Sequence, residues 1–192
     1  MMSFPVEKQF ISSQELHEAG YSNYKIRKLV GAGDLVGVNR KWYENANYNG
    51  EINDFYAVPA YAEQGVICLI SAAVYYELSS ERQSQIEVAI PRNARIPESP
   101  DWPAMKFYRM TEPRYSMGIV EVQEGGNSFR IYDKEKTVCD VIYHRNKMGF
   151  EPAMEVLKRY VQQPDRDINR LIAYSRRLQV ETTIKQYLEA LL

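Results

Sequence analysis

Residues 12–43 read SSQELHEAGYSNYKIRKLVGAGDLVGVNRKWY, and the punctuation of this stretch decides the reading of the N-terminal part. Ser12 or Ser13 is placed to N-cap a first helix through Leu16 and Ala19, because a hydroxyl there satisfies an orphan backbone N–H. Gly20 stands at its stop, where a left-handed residue is favoured. Ser22 then caps a second helix, Asn23 to Ala32, and Gly33 stops that one. At about 100° per residue, Ile26, Leu29 and Val30 share one face, which should pack on the first helix. Tyr24, Arg27, Lys28 and Gly31 fall on the opposite face, with Lys25 at its edge. Leu35 to Val38 and Lys41 to Tyr43 read as two short strands about an Asn39-Arg40 turn, which puts Arg40 and Lys41 at a hairpin tip. Two helices, a glycine turn and a basic hairpin in this order are the pattern of a winged helix-turn-helix.

Tyr24, Lys25, Arg27 and Lys28 supply the groups needed for phosphate neutralisation and base-edge contact, and Arg40 and Lys41 can grip phosphates. Residues 22–43 hold five cationic side chains against Asp34 alone, a net charge of +4. That excess suits a dimer with a few phosphate contacts per subunit better than a strong nonspecific binder. The plain alternative is that two amphipathic helices and a hairpin are ordinary globular material with a solvated cationic face.

The whole chain has 192 residues, 45% hydrophobic and 26% charged, which are soluble globular values and permit a sizeable core. Its net charge of −1 is unevenly spread. Residues 51–126 carry 6 basic and 11 acidic side chains, whereas residues 145–192 carry 9 and 6. An acidic middle would repel DNA and fits solvent or a basic protein partner. Met1 to Lys8 lacks the basic start and apolar run of a secretory signal. Val66 to Tyr76, interrupted by Ser71, is too short to span a bilayer. No membrane association and a cytoplasmic location are therefore expected, with Cys68 and Cys139 as isolated reduced thiols.

Tyr48 to Asp54 reads as a polar linker, dividing the chain into a winged unit over residues 1–48 and an α+β domain over 54–192. A helix is predicted from about Tyr56 to Glu63, with Pro59 in its first turn. Cys68 to Leu78 reads as a buried helix. Ile86–Ile90, Lys106–Met110, Gly118–Val122 and Ser128–Tyr132 are strand candidates between Pro- or Gly-rich turns, implying a small, mostly antiparallel sheet. Asp133 caps a helix over Lys134 to Arg145. Three helical stripes follow: Phe150 to Val161, Ile168 to Leu178 after a start at Pro164-Asp165, and Ile184 to Leu192. They read as intramolecular core or, for the terminal one above all, a partner groove. The expected class is thus α+β.

Catalytic signatures are lacking. Cys139 and His144 sit five residues apart on one predicted helix and diverge by about 140°, so they do not meet. With Val138, Val141 and Ile142 around it, Cys139 reads as a small core residue. His17, His144, Cys68 and Cys139 lack the close ligand pairs of a structural zinc site. The carboxylates are scattered, and Gly125-Gly126 reads as a hairpin turn rather than a phosphate cradle. No enzyme activity, metal or cofactor is expected.

Several segments together resemble the AbiEi family, the antitoxin and transcriptional-regulator half of bacterial type IV toxin–antitoxin systems. They are Ser12-Ser13-Gln14-Glu15-Leu16 through Gly20; Arg27-Lys28-Leu29-Val30 to Gly33-Asp34-Leu35; Gly65 through Ala73; and Glu87-Val88-Ala89-Ile90-Pro91-Arg92. Tyr132 through Asp140 looks like that family's acidic-basic-Thr-x-x-Asp helix start, and Tyr143 through Gly149 follows directly. The order and spacing of these pieces, over nearly the whole chain, carry the resemblance. It implies a DNA-binding winged helix that represses its own operon at an inverted repeat, with Asn23 to Ala32 as recognition helix and Asp34 to Tyr43 as wing. It further implies a C-terminal domain for antitoxin activity, a nucleotidyltransferase-like toxin as counterpart, a homodimer, and a role in phage resistance. Two positions depart from the family pattern. The helix that usually precedes the Ser12 position has only Met1 to Gln9 available, so the expectation is a winged unit truncated there or completed by another subunit. Lys41 stands where a glycine usually precedes the aromatic, so Lys41 must avoid a left-handed backbone. The alternative function is a protein-interaction module whose winged unit is a scaffold that does not bind DNA.

Overall fold

A serine hydroxyl begins each N-terminal helix in the structure, a computed structural model that describes residues 7–191. Ser12 accepts from the Glu15 N–H while the Glu15 carboxylate accepts from the Ser12 N–H at 2.8 Å, a reciprocal box that satisfies two orphan amides of α1 (Ser13–Glu18). Lys8 pairs with the same carboxylate. These interactions hold the Glu15 carboxyl below its usual range against the opposing pull of burial, which is the largest single influence. Ser22 accepts from the Lys25 N–H at 3.4 Å and starts α2 (Asn23–Ala32), which ends at Gly33 with φ +82°. A β-carbon would be strained in that left-handed backbone.

Strand β1 (Phe10–Ser12) leads into α1, and β2 (Leu35–Gly37) and β3 (Trp42–Asn45) form the hairpin after α2. The three make an antiparallel sheet in the order β1-β3-β2, with Ser12 opposite Trp42 and Gly37 opposite Tyr43. The two helices and the hairpin therefore stand where the sequence predicts them. β1 has no counterpart in the sequence reading; three residues are too few for an alternating pattern to register. A helix before α1 would fall on residues 1–9, of which 1–6 lie outside the described residues, and 7–9 are not helical.

The chain divides into two compact units. The first comprises described residues 7–63 together with Glu121–Phe129. After β3 it continues through residues 46–53 into a 3-10 turn (Asp54–Ala57) and α3 (Val58–Tyr61), with Pro59 in the first turn as expected. Phe55 and Tyr56 pack on Phe129, with ring centroids 5.5 and 6.1 Å away. Asn127 accepts from the Gln9 N–H at 2.8 Å. At the Gly125–Gly126 turn a β-carbon on Gly126 would lie 2.5 Å from the Glu7 side chain, so a larger residue would require that side chain to shift.

The second sheet has five strands in the order β6-β5-β4-β8-β7, from β4 (Val66–Ile67), β5 (Ile86–Pro91), β6 (Met105–Met110), β7 (Ile119–Glu124) and β8 (Asn127–Tyr132). It is mixed rather than mostly antiparallel. β4 runs antiparallel to β5 and parallel to β8, and β5 runs parallel to β6 from Ile86↔Met105 to Pro91↔Met110. The Pro-rich segment 92–104 is a crossover long enough to return the next strand in the same direction, not a hairpin loop.

The second unit comprises Gln64–Val120 and residues 130–191. Helix α4 (Leu69–Tyr75) precedes β5, and α5 (Lys134–Met148), capped by Asp133 as expected, follows β8. α6 (Phe150–Gln162), α7 (Ile168–Arg177) and α8 (Glu181–Leu191) complete the unit. α7 is capped by Asp167 rather than started at Pro164-Asp165. The core gathers Val138, Cys139, Val141 and Ile142 of α5 with Ala153, Leu157 and Tyr160 of α6, Leu171 of α7 and Ile184 of α8. The three C-terminal stripes thus bury most of their length within the chain itself, except that Phe150 at the start of the first is 55% exposed, and Leu192 at the end of the third lies outside the described residues. Cys139 is fully buried, and burial pushes its thiol far above the ordinary range. Among the described residues no helix is long and apolar enough to cross a membrane.

Candidate nucleic-acid interface

Ile26 anchors α2. It is 3% exposed and closes a small core with Ile11 of β1, Leu16 of α1 and Leu35 of β2, while Tyr21, Leu29 and Tyr43 pack at its margin. With this side seated, the opposite side of α2 must face water. Tyr24 is 67% exposed, and Lys25, Arg27 and Lys28 are exposed. Val30, expected on the buried face, is instead 40% exposed. Ile26 alone points at the centre of so small a core, leaving Leu29 half-covered and Val30 outside it.

One helical turn separates Lys28 from Tyr24, and the ammonium lies 5.1 Å from the ring centroid. Such an interaction at an exposed site contributes about 0.5–1 kcal/mol. It aligns both groups on one stripe without removing the charge. Arg27 forms no ion pair among the described residues.

The hairpin tip is fixed from both sides. The Trp42 carbonyl accepts from the Val38 and Asn39 N–H groups at 3.0 and 3.3 Å. The Asn39 side chain accepts from the Lys41 N–H at 2.9 Å and donates to the Ala60 carbonyl at 2.8 Å. The Ser13 N–H donates to the Lys41 carbonyl at 2.7 Å. Lys41 has no left-handed backbone, so the non-glycine wing is unstrained there. Arg40 and Lys41 are exposed, and Lys41 reaches Glu63 at 4.0 Å, a pair too open to water to add much stability.

All six sequence-predicted residues therefore lie on the surface of one compact unit, four on α2 and two on the hairpin tip. This arrangement presents hydrogen-bond donors and positive charge and holds no nucleophile–base pair. Among the described residues no cluster of three or more His, Cys, Asp or Glu side chains is placed to hold a metal ion. His144 is not near a working thiol, because Cys139 turns into the core and its thiol faces the Leu171 carbonyl at 3.9 Å.

The second unit carries two features that the site prediction did not include. One is a buried charge network: Asp140 accepts from Arg114 at 2.6 Å and pairs with Lys136, and both Asp140 and Lys136 are wholly buried. The other is a cation-lined cleft beside it. Lys136 and Asp140 stand four residues apart on α5 within the motif that carries the family resemblance, whereas Arg114 and the residues of the cleft come from separate segments that read locally as turns, strands and a helix end. No protein-family model matches the chain, and no curated protein matches it.

Proposed function

We propose that the N-terminal unit is a winged helix-turn-helix DNA reader, and that the protein is a non-enzymatic, cytoplasmic regulator of the AbiEi antitoxin kind. One observation carries the reading: Ile26 buries one side of α2 while Tyr24, Lys25, Arg27 and Lys28 stand in solvent on the other. A helix seated in this way can enter a major groove with its cationic side toward the bases and phosphates. Arg40 and Lys41, on a tip anchored to α3, then grip the neighbouring backbone. The operator is an inverted repeat read by a homodimer, and the counterpart is a nucleotidyltransferase-like toxin, as the family resemblance implies.

Electrophoretic shift of the DNA upstream of the gene tests the first half. Binding should weaken steeply with salt, and Lys28→Ala should reduce the slope of log K against log salt by about one, the effect of removing one phosphate contact. No shift on any upstream sequence at low salt would remove the DNA reading. Co-expression with an adjacent toxin gene tests the second half. Rescue that survives Arg27→Ala plus Lys28→Ala would place antitoxin action away from DNA.

In the alternative reading the winged unit is a scaffold within a protein-interaction module, and the exposed Lys41–Glu63 pair offers a way to tell the two apart. Glu63→Gln separates the two: it should strengthen DNA binding if Lys41 meets phosphate and leave it unchanged if the unit is only a scaffold.

A further inference from the structure

A cleft of about 600 Å³ opens in the second unit between β6, the beginning of the β5–β6 crossover and the C-terminal part of α5. Arg92, Arg109, Arg114, His144 and Lys147 line it, and no carboxylate does. These residues lie in four separate stretches of chain, so tertiary folding alone brings them together. None belongs to α2 or its hairpin.

Behind this lining the charge is also unbalanced. Arg114 and Lys136 share the single carboxylate of Asp140. Arg114 is held rigidly: it donates to Asp140, donates to the Leu178 carbonyl at 2.8 Å, and stacks 3.9 Å from the centroid of the Tyr143 ring. Lys136 leans on the Tyr132 ring at 3.8 Å. In front, Arg109 donates to the Ala94 carbonyl at 3.2 Å, and the Arg92 and Lys147 side chains have no partner among the described residues. Like charges converging in a concavity repel, and low-dielectric walls concentrate their field. Guanidinium forks match the paired oxygens of a phosphate, and several cations together suit an anion of several charges.

The cleft continues into a second lobe of about 440 Å³ that shares Tyr108, His144 and Lys147. Its lining differs in kind. Glu81, Glu87, Arg82 and Lys106 line it together with Ile70, Gln85 and Met148. A lobe that mixes carboxylates with cations, beside one whose charged side chains are all cationic, fits a molecule with a neutral hydrogen-bonding part at one end and a polyanion at the other. We propose that this cleft binds a nucleoside di- or triphosphate, with its phosphates against Arg92, Arg109 and Lys147 and its nucleoside in the lobe of Gln85 and Met148.

His144 sits between the lobes, its ring 4.9 Å from that of Tyr143 and 6.2 Å from that of Tyr108. Desolvation lowers its pKa, as do Arg114 and Lys147, against the opposing pull of Asp140 and Glu87. A phosphate placed beside it would favour the imidazolium, so binding takes up a proton and tightens as pH falls below neutrality.

Calorimetric titration of the full chain with ATP, GTP, pyrophosphate and adenosine tests the proposal. One or both nucleotides should saturate a single site about tenfold more tightly than pyrophosphate, an increment of about 1.4 kcal/mol, and adenosine should not bind detectably. Arg92→Ala plus Lys147→Ala should weaken nucleotide binding about a hundredfold at unchanged melting temperature, because two cations that donate charge-assisted hydrogen bonds to phosphate are removed. Arg109→Ala should weaken it less, and Arg27→Ala plus Lys28→Ala should leave it intact. His144→Gln should flatten its pH dependence. Absence of nucleotide binding, or binding that the Arg92/Lys147 double variant retains in full, would overturn the site. Pyrophosphate binding as tightly as ATP, or saturation by an oligonucleotide alone, would overturn its assignment to a nucleotide.

Discussion

In the first unit Arg27 and Lys28 stand in solvent beside a core cluster of four buried side chains, whereas in the second Lys136 lies wholly buried beside a core cluster of 23. The cluster beneath α2 cannot enclose a charge, because four apolar side chains cannot offset the desolvation of an ion. Its cations remain outside, contribute little to stability, and are available to a partner. The large unit encloses Lys136, Asp140, Glu135 and Glu87 and must satisfy each of them. Glu135 accepts from the Tyr160 hydroxyl at 2.8 Å, and Glu87 accepts from the Tyr108 hydroxyl at 2.6 Å and the Ile70 N–H at 2.8 Å. On α2 charge is a surface property, and around α5 it is a packing constraint.

Asp140→Ala breaks this contrast most severely. It strands Lys136 and Arg114 without a carboxylate, and loss of one partner from a buried ion pair costs about 3–5 kcal/mol. Urea unfolding monitored by circular dichroism checks it. A cost near zero would mean that the network is open to water and that the units treat charge alike.

Ile26→Ala attacks the small core instead. Truncating a buried isoleucine costs about 2–5 kcal/mol, a large share of what so few side chains supply. Hydrogen exchange should show α1, α2 and β1–β3 losing protection while α5 and α6 keep theirs. Uniform loss across both units would mean that they unfold as one body.

Ser22→Ala acts at a single amide. Losing the hydroxyl that accepts from the Lys25 N–H should cost about 1 kcal/mol, read as a lower melting midpoint for α2. The effect should fall short of that of Ile26→Ala and leave the exposed cations in place.

The smallest effect is the pH response of His144. Burial, the largest influence, lowers its pKa below the ordinary 6.5. The unfolded chain therefore binds this proton first as pH falls. Stability is constant above 6.5 and declines as pH drops through that value toward the depressed one in the fold. His144→Phe should flatten this decline, as seen in melting temperatures across pH 5–8, where histidine is the side chain that ordinarily titrates.

Punctuation residues were legible in the sequence because their effect is local. Ser22 and Gly33 bound α2 where predicted, Asp133 caps α5, and Gly125–Gly126 turns β7 into β8. Periodicity found the buried stripes of α6, α7 and α8, apart from the exposed Phe150 at the start of α6, since each apolar face has a large core to meet. It misjudged Val30, because the width of a buried stripe depends on how much neighbouring structure exists to cover it. β4, two residues long, was hidden within the apolar run from Val66. The parallel pairing of β5 with β6 was missed because Pro-rich turn signals mark where a chain bends without stating where it returns.

The sequence by itself determined which side of α2 carries Tyr24, Lys25, Arg27 and Lys28, because helical geometry fixes angular position once the caps are set. It equally determined that Cys139 is a core residue rather than a nucleophile. Only the tertiary structure decided that Arg92, Arg109 and Arg114, drawn from a net-acidic stretch, converge with His144 and Lys147 on one cleft. Summed charge along a segment is insensitive to direction in space. A binding surface, in contrast, arises from the directions in which side chains of distant segments point once strands have paired and helices have packed.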